Sequence, residues 1–257
     1  MTGTREPLLD RMAHRRMLRR WQALARTAEE AAPATLRELR QRARDARRPL
    51  DRVIAIADRR LGLLPTRAAE TRHPPGTDWF WRPDPWTAPL PDAGWAPLAP
   101  RQPIGAQTAT FHDCPLAEIA LRQQRGTGTA ETAPHTLVIE VFGFAGSFLS
   151  LVVDFPPEGI VGLGMRHIVQ LDLTLSSERP QAVYARLQAR QGPNVAQILQ
   201  TVPAVPGTHR VEFDLAYAGL DDRPVEHAWL DLIFEKPQMT AITLGDLTLS
   251  RRPRAGF

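Results

Sequence analysis

Between residues 108 and 250 apolar and polar positions alternate along the chain. Val169, Leu171, Leu173 and Leu175 take turns with Gln170, Asp172 and Thr174, and Val183, Ala185, Leu187 and Ala189 with Tyr184, Arg186, Gln188 and Arg190. The same rhythm sets Val211, Phe213 and Leu215 against Arg210, Glu212 and Asp214, and Ala228, Leu230, Leu232 and Phe234 against Trp229, Asp231, Ile233 and Glu235. A strand sends successive side chains to opposite faces, so period two with one apolar face predicts half-buried antiparallel strands. Further strands are expected over 108–112, 116–123, 136–144, 147–154, 194–202 and 240–250, about ten in all. Turn residues separate them at Gly126-Thr127-Gly128, Ala145-Gly146, Pro156-Pro157, Gly192-Pro193, Pro206-Gly207 and Asp221-Asp222. No helix-length crossover lies between strands, which excludes a parallel βαβ construction and leaves a sandwich or jelly roll. Phe142, Phe144, Phe148, Phe155, Phe213 and Phe234 are the expected core aromatics. Gly245 interrupts the last strand and predicts a bulge.

Before residue 65 the period changes to that of a helix. On a helical projection of residues 8–28, Met17, Leu18, Trp21, Leu24, Ala25 and Ala28 fall in one sector and Arg11, Arg15, Arg16, Arg19, Arg20 and Arg26 in the opposite one. This is a basic amphipathic helix, which Pro33 is expected to end. Thr35-Leu36-Arg37-Glu38 has the form of a capping box and predicts a second helix over 34–47. Its apolar stripe runs through Leu36, Leu39, Ala43, Ala46, Leu50, Val53 and Ala57. Pro49 predicts a break, with a third helix over 49–61 ended by Gly62. Such short, alanine-rich helices bury little area and need a partner.

Between the two regions, residues 65–107 hold ten prolines and four of the six tryptophans, Trp79, Trp81, Trp86 and Trp95. Proline withholds a backbone donor and fixes φ, so regular structure is largely excluded. A solvated linker is poor in aromatics. The segment therefore reads as a strap over the body with its rings inserted, the alternative being a stacking platform for sugars or bases. The chain is thus an α+β protein, mainly an antiparallel β-sandwich of jelly-roll type, with a helical segment at 1–64, a Pro/Trp strap or linker at 65–107 and the sandwich at 108–257.

Charge adds a division. Residues 1–72 hold 18 Arg and 9 Asp/Glu, a net +9, whereas residues 73–257 carry a net −5. A basic head of this kind suits nucleic acid, an anionic membrane surface or the acidic body itself. Of 32 basic residues only Lys236 is lysine, an excess of arginine that a GC-rich coding sequence also produces. The chain has one cysteine, which excludes an internal disulfide framework. With no run of 18 apolar residues and no signal-peptide pattern at the N-terminus, the expected location is cytoplasmic.

Motifs for chemistry are absent: no GxxxxGK[ST], GxGxxG before a helix, GxSxG, HExxH or CxxC occurs, and no cofactor or metal is implied. Gly159-Ile160-Val161-Gly162-Leu163-Gly164 precedes a strand and reads as a loop. His112-Asp113-Cys114 has the composition of a nucleophile set, but alternation prevents Asp113 from orienting either neighbour, and Cys114 reads as a small buried residue. The outward sheet positions are more telling. Trp229, Tyr184, Arg186, Asp172, Gln188 and Asp231 combine aromatic surface with planar polar groups, as recognition of a glycan requires, because sugar C–H faces stack on rings while hydroxyls pair with bidentate partners. The expected function is accordingly a non-enzymatic binding or structural protein with a glycan or protein ligand. Its alternatives are association with nucleic acid or an anionic membrane through the arginines of residues 11–26, or an uncharacterised hydrolase or transferase. Oligomers are compatible with all three.

Phe111-His112-Asp113-Cys114-Pro115-Leu116, Gly146 to Asp154, Ala228 to Glu235 and Leu247 to Arg254, with Thr77-Asp78-Trp79, together resemble an uncharacterised bacterial family, a domain of unknown function, over residues 65–257. That resemblance implies no activity or ligand. The closing strands, Trp229 to Phe234 and Ile242 to Leu249, are similar in rhythm to those of carbohydrate-binding jelly-roll modules.

Overall fold

The computed structural model describes residues 8–28, 31–61, 76–90, 92–126 and 133–254. Gly62, Thr127 and Gly128, where a helix end and a turn are expected, lie outside them. The alternating segments form two antiparallel sheets. Their strands are β1 (Trp79–Trp81), β2 (Gly94–Trp95), β3 (Arg101–Pro103), β4 (Thr108–His112), β5 (Ile119–Arg125), β6 (His135–Val141), β7 (Leu149–Asp154), β8 (His167–Ser177), β9 (Val183–Gln191), β10 (Asn194–Val202), β11 (Gly207–Asp214), β12 (His227–Phe234) and β13 (Thr240–Pro253). One sheet has seven strands in the order β11-β8-β13-β6-β5-β2, with β1 also paired to β13; the other has six, β10-β9-β12-β7-β4-β3. The architecture is a β-sandwich of jelly-roll type.

The core lies between the inner faces. Leu171 and Leu173 of β8, Phe213 of β11, Leu230 and Phe234 of β12 and Leu249 of β13 are all wholly buried. Each apolar side chain taken fully from water contributes about 1.5–3 kcal/mol, so these alternating positions supply the main driving force. The pairing register of β13 slips between Leu244 and Asp246, which makes the bulge expected at Gly245. A Cβ there would stand 3.1 Å from Thr174 Cγ2 on β8.

Of the expected core aromatics, Phe155, Phe213 and Phe234 are buried and Phe144 packs against the core, but Phe142 and Phe148 are exposed. The reason is local: β6 ends at Val141 and β7 begins at Leu149, so both rings stand on a loop where alternation no longer sets direction.

The strap supplies β1, β2 and β3 as short edge segments, so its prolines limit strand length without excluding pairing. Trp86, in the single-turn helix α3 (Asp84–Thr87), is wholly buried, and its Nε1 donates to the Leu244 carbonyl at 3.0 Å. Trp79 stacks on Phe155 with centroids 5.4 Å apart, and its ring occupies the space that a Cβ on Gly159 would need. Two ion pairs clasp the strap to β13: Arg82 binds Asp246 through two bonds of 2.8 Å, and Arg251 Nε donates to Asp78 at 2.9 Å. Arg251 Nη1 also donates to the carbonyls of Gly159 and Val161, in and just after the short helix α4 (Pro157–Ile160). The glycine-rich segment, expected to be a loop, begins within α4 at Gly159 and Ile160 and continues as a turn leading to β8.

The chain divides into two compact units, Met1–Ile54 and Ala55–Phe257. The first contains α1 (Leu8–Thr27) and most of α2 (Pro33–Leu61). Two expectations change. Pro33 is the first residue of α2 and not a terminator, a position where its missing N–H costs nothing, so Thr35 and Glu38 lie within the helix and form no capping box. Pro49 is accommodated inside a continuous α2. A proline removes the bond to the carbonyl four residues earlier, at a cost of about 3 kcal/mol, and on an exposed helix water takes that carbonyl over. Among the described residues no helix is long and apolar enough to cross a membrane.

Candidate functional site

The outer face of the six-stranded sheet carries two adjoining hollows. Alternation sends Arg101 from β3, Ala109 and Phe111 from β4, Ser150, Val152 and Asp154 from β7, Arg186 and Gln188 from β9, and His227, Trp229, Asp231 and Ile233 from β12 into one hollow of about 680 Å³, with Phe148 on its rim. A second hollow of about 330 Å³ continues past the shared walls of Arg186 and Ile233, lined by Tyr184 and by Gln197 and Leu199 of β10. The pairing register sets the order across the face: Asp231 faces Arg186 on one side and Val152 on the other, and Trp229 lies between Gln188 and Asp154.

Asp231 organises the centre. Its side chain is only 5% exposed, and its Oδ2 accepts from Arg186 Nε at 2.9 Å, Arg186 Nη2 at 2.7 Å and Gln188 Nε2 at 2.6 Å. Burial pushes the Asp231 carboxyl above the ordinary aspartate range, against these donors, which favour its ionised form. The carboxylate thereby holds two long polar arms in fixed rotamers. Among the described residues, Arg186 Nη1 and Gln188 Oε1 keep a donor and an acceptor that no protein group uses.

Aromatic surface flanks this centre. The His227 and Trp229 rings stack with centroids 4.9 Å apart at 26°, and His227 Nε2 lies 3.0 Å from Asp154 Oδ1. Arg101 Cζ stands 5.7 Å over the Phe111 ring. Phe148 is held by Asp113, whose carboxylate accepts from the backbone N–H groups of Ser147 and Phe148 and from the Ser147 hydroxyl. These bonds lower the Asp113 pKa. At the far end the Tyr184 hydroxyl donates to Glu235 at 3.0 Å, which raises its pKa.

Five of the six sheet residues expected to share a ligand, Trp229, Tyr184, Arg186, Gln188 and Asp231, stand on this face. Asp172 does not. It projects from β8 on the outer face of the seven-stranded sheet, where it accepts from Arg210 Nε at 2.9 Å and from Gln170 Nε2 at 2.6 Å. Both strands follow the same apolar-in, polar-out alternation, but they belong to different sheets whose outer faces point away from each other across the core. Alternation alone already puts His227 on the face of Trp229, two residues on. Arg101, Phe111, Phe148, Ser150 and Asp154 required the strand order.

Elsewhere, His112 and Cys114 are buried, and both ring nitrogens of His112 are engaged by backbone: Nδ1 accepts from the Cys114 N–H at 3.2 Å and Nε2 lies 3.1 Å from the Leu98 carbonyl. Neither nitrogen is left to act as a base for the thiol. Arg15, Arg16, Arg19, Arg20 and Arg26 are exposed along α1, while the Arg11 side chain lies outside the described residues. Among the described residues no three His, Cys, Asp or Glu side chains converge as metal ligands.

Fold and groove define a jelly-roll β-sandwich protein with a furrowed sheet face. The whole chain, residues 1–257, matches the model of a family of unknown function (DUF6478), and it belongs to that family, whose extent includes the N-terminal helices as well as residues 65–257. None of the curated proteins matches it. Among solved structures it is similar to the enzymatically active domain of tailspike protein 4 of bacteriophage CBA120, at 7% identity and a TM-score of 0.41, covering 56% of this chain but only 19% of the tailspike chain. It is also similar to a family 11 carbohydrate-binding module from Clostridium thermocellum in complex with a β-1,3-1,4-mixed-linked tetrasaccharide, at 6% identity and a TM-score of 0.38, covering 58% and 92% of the two chains. A family 22 module of Clostridium thermocellum Xyn10B gives 8% identity and a TM-score of 0.34, covering 58% and 87%. Likenesses at this level say nothing of this chain's ligand.

Proposed function

We propose that the protein is a non-enzymatic glycan-binding protein and that the groove on the six-stranded sheet is its site. One observation carries the reading: a nearly buried carboxylate, Asp231, fixes Arg186 and Gln188 beside the Trp229 ring. Planar donors and acceptors next to a flat ring match a sugar, whose axial C–H groups stack while its hydroxyls pair in the ring plane. Because the arms are already ordered, binding does not bear the entropy of immobilising them. Asp154, Asp231 and Glu235 all stand on or at the end of this face, and glycoside hydrolysis would need two of them, but Asp231 accepts three bonds from Arg186 and Gln188 and is 5% exposed. A general acid must reach the leaving oxygen within hydrogen-bond distance. That favours binding over turnover.

A glycan array probed with the full chain tests the reading. Trp229→Ala should weaken the best ligand by about 2 kcal/mol, roughly thirtyfold, with the circular dichroism spectrum unchanged. Binding that survives this substitution, or no binding to any glycan, overturns it. New reducing ends appearing in bound glycans, and vanishing in Asp154→Asn, would replace it with a hydrolase.

A further inference from the structure

We propose that the N-terminal unit docks on an anionic lipid surface, with α1 lying in the interface. Residues 1–54 hold 14 Arg against 7 Asp/Glu, a net +7. In α1, Arg15, Arg16, Arg19, Arg20 and Arg26 are exposed on one side. The opposite side presents Met17 at 43% and Leu18 at 44% exposure, next to the half-buried Trp21 and Leu24. The stripe on α2 is as open, with Leu36 38%, Leu50 52% and Val53 63% exposed. Two helices thus show water both an apolar stripe and a strong positive charge.

The charge selects the occupant. A second copy would set like charge against like, since the net +7 belongs to both partners. Nucleic acid would pair with the arginines and leave the Met17, Leu18 and Trp21 side in water. An anionic bilayer surface takes both: headgroup phosphates meet the arginines while Met, Leu and Trp side chains sink to the acyl boundary. Arginines at the edge of the stripe bury their methylene stems and keep the guanidinium at headgroup level. The exposed apolar residues therefore discriminate lipid from nucleic acid, because the lipid uses them and the nucleic acid leaves them in water. The inference does not depend on the glycan reading.

The test is co-sedimentation of the full chain with vesicles of phosphatidylcholine alone and of phosphatidylcholine mixed with phosphatidylglycerol, with duplex DNA binding measured in parallel. Binding should be about tenfold or more tighter on the anionic vesicles and should fall with added salt. The double variant Met17→Ser, Leu18→Ser keeps every arginine and alters only exposed side chains, so the fold is retained. It should lose about tenfold on vesicles, and Arg15→Gln with Arg19→Gln should lose at least as much. Vesicle binding unchanged by the serine variant, equal binding to both vesicle types, or binding to DNA without binding to vesicles would each overturn the proposal.

Discussion

Asp231 carries its charge where water reaches only 5% of the side chain, and the consequence is a pH dependence with opposite signs for folding and for binding. Burial raises its pKa in the folded protein, so the folded state holds a proton more tightly than the unfolded chain does. Stability contributed by this residue therefore falls as pH rises from the unfolded to the folded pKa, and above that the cost of the buried charge is fully present. Ligand affinity should run the other way, because a proton on Asp231 takes away the acceptor that positions Arg186 and Gln188. We expect glycan affinity, measured calorimetrically across acidic pH, to start falling at a higher pH than an ordinary aspartate would dictate, and Asp231→Asn to flatten that profile. The same variant exchanges charge-assisted bonds for relief of a buried charge. Its stability should stay within about 1 kcal/mol of wild type in urea denaturation while affinity drops. The identity of these residues and their outward direction were legible in the alternation. That Asp231 is nearly buried and bonded to Arg186 was not, because it depends on β9 lying beside β12.

The strap is held as an element by rings and clasps together. Trp86→Ala removes a wholly buried side chain with its hydrogen bond to Leu244 and should cost about 3–5 kcal/mol by chemical denaturation. Phe148→Ala, at a position 41% exposed, should change stability by about 0.5 kcal/mol or less. The clasp between strap and β13 is also sensitive to acid. His167 lies 3.7 Å from Asp78, but burial, assisted by the Arg251 charge, holds its pKa below the ordinary histidine value. The folded protein thus keeps His167 neutral at a pH where the unfolded chain already binds the proton, and stability falls as pH drops below the ordinary histidine range, until the folded pKa is reached. One such proton gives a slope of up to about 1.4 kcal/mol per pH unit. His167→Gln should reduce the slope of denaturation midpoint against pH over that window; an unchanged slope would remove His167 from the account. Proline content and four tryptophans revealed a tied-down strap. Its three short strands were hidden, since edge pairing of two or three residues leaves no periodic signal.

At the scale of the molecule, the buried core of the described residues runs from Trp86 to Leu249, with Trp79 and Trp81 packed against it. A chain beginning at Ala55 should keep the near-ultraviolet circular dichroism of the full chain's aromatic core; loss of that signal would show that the two units fold together. The net +4 of the whole chain conceals a basic N-terminal part and an acidic body. The strands from residue 108 onward, the bulge at Gly245 and the amphipathic helices were determined by the sequence itself, because side-chain period and glycine placement are local properties that a chain expresses wherever it folds. Which outward residues share a face was decided only by tertiary structure. Asp172 and Asp231 have the same local pattern, and they part because β8 and β12 enter different sheets. Arg101, Phe111, Asp154 and Trp229 meet because β3, β4, β7 and β12 lie in one sheet, an order of neighbours set by the burial of the whole core and by no single segment.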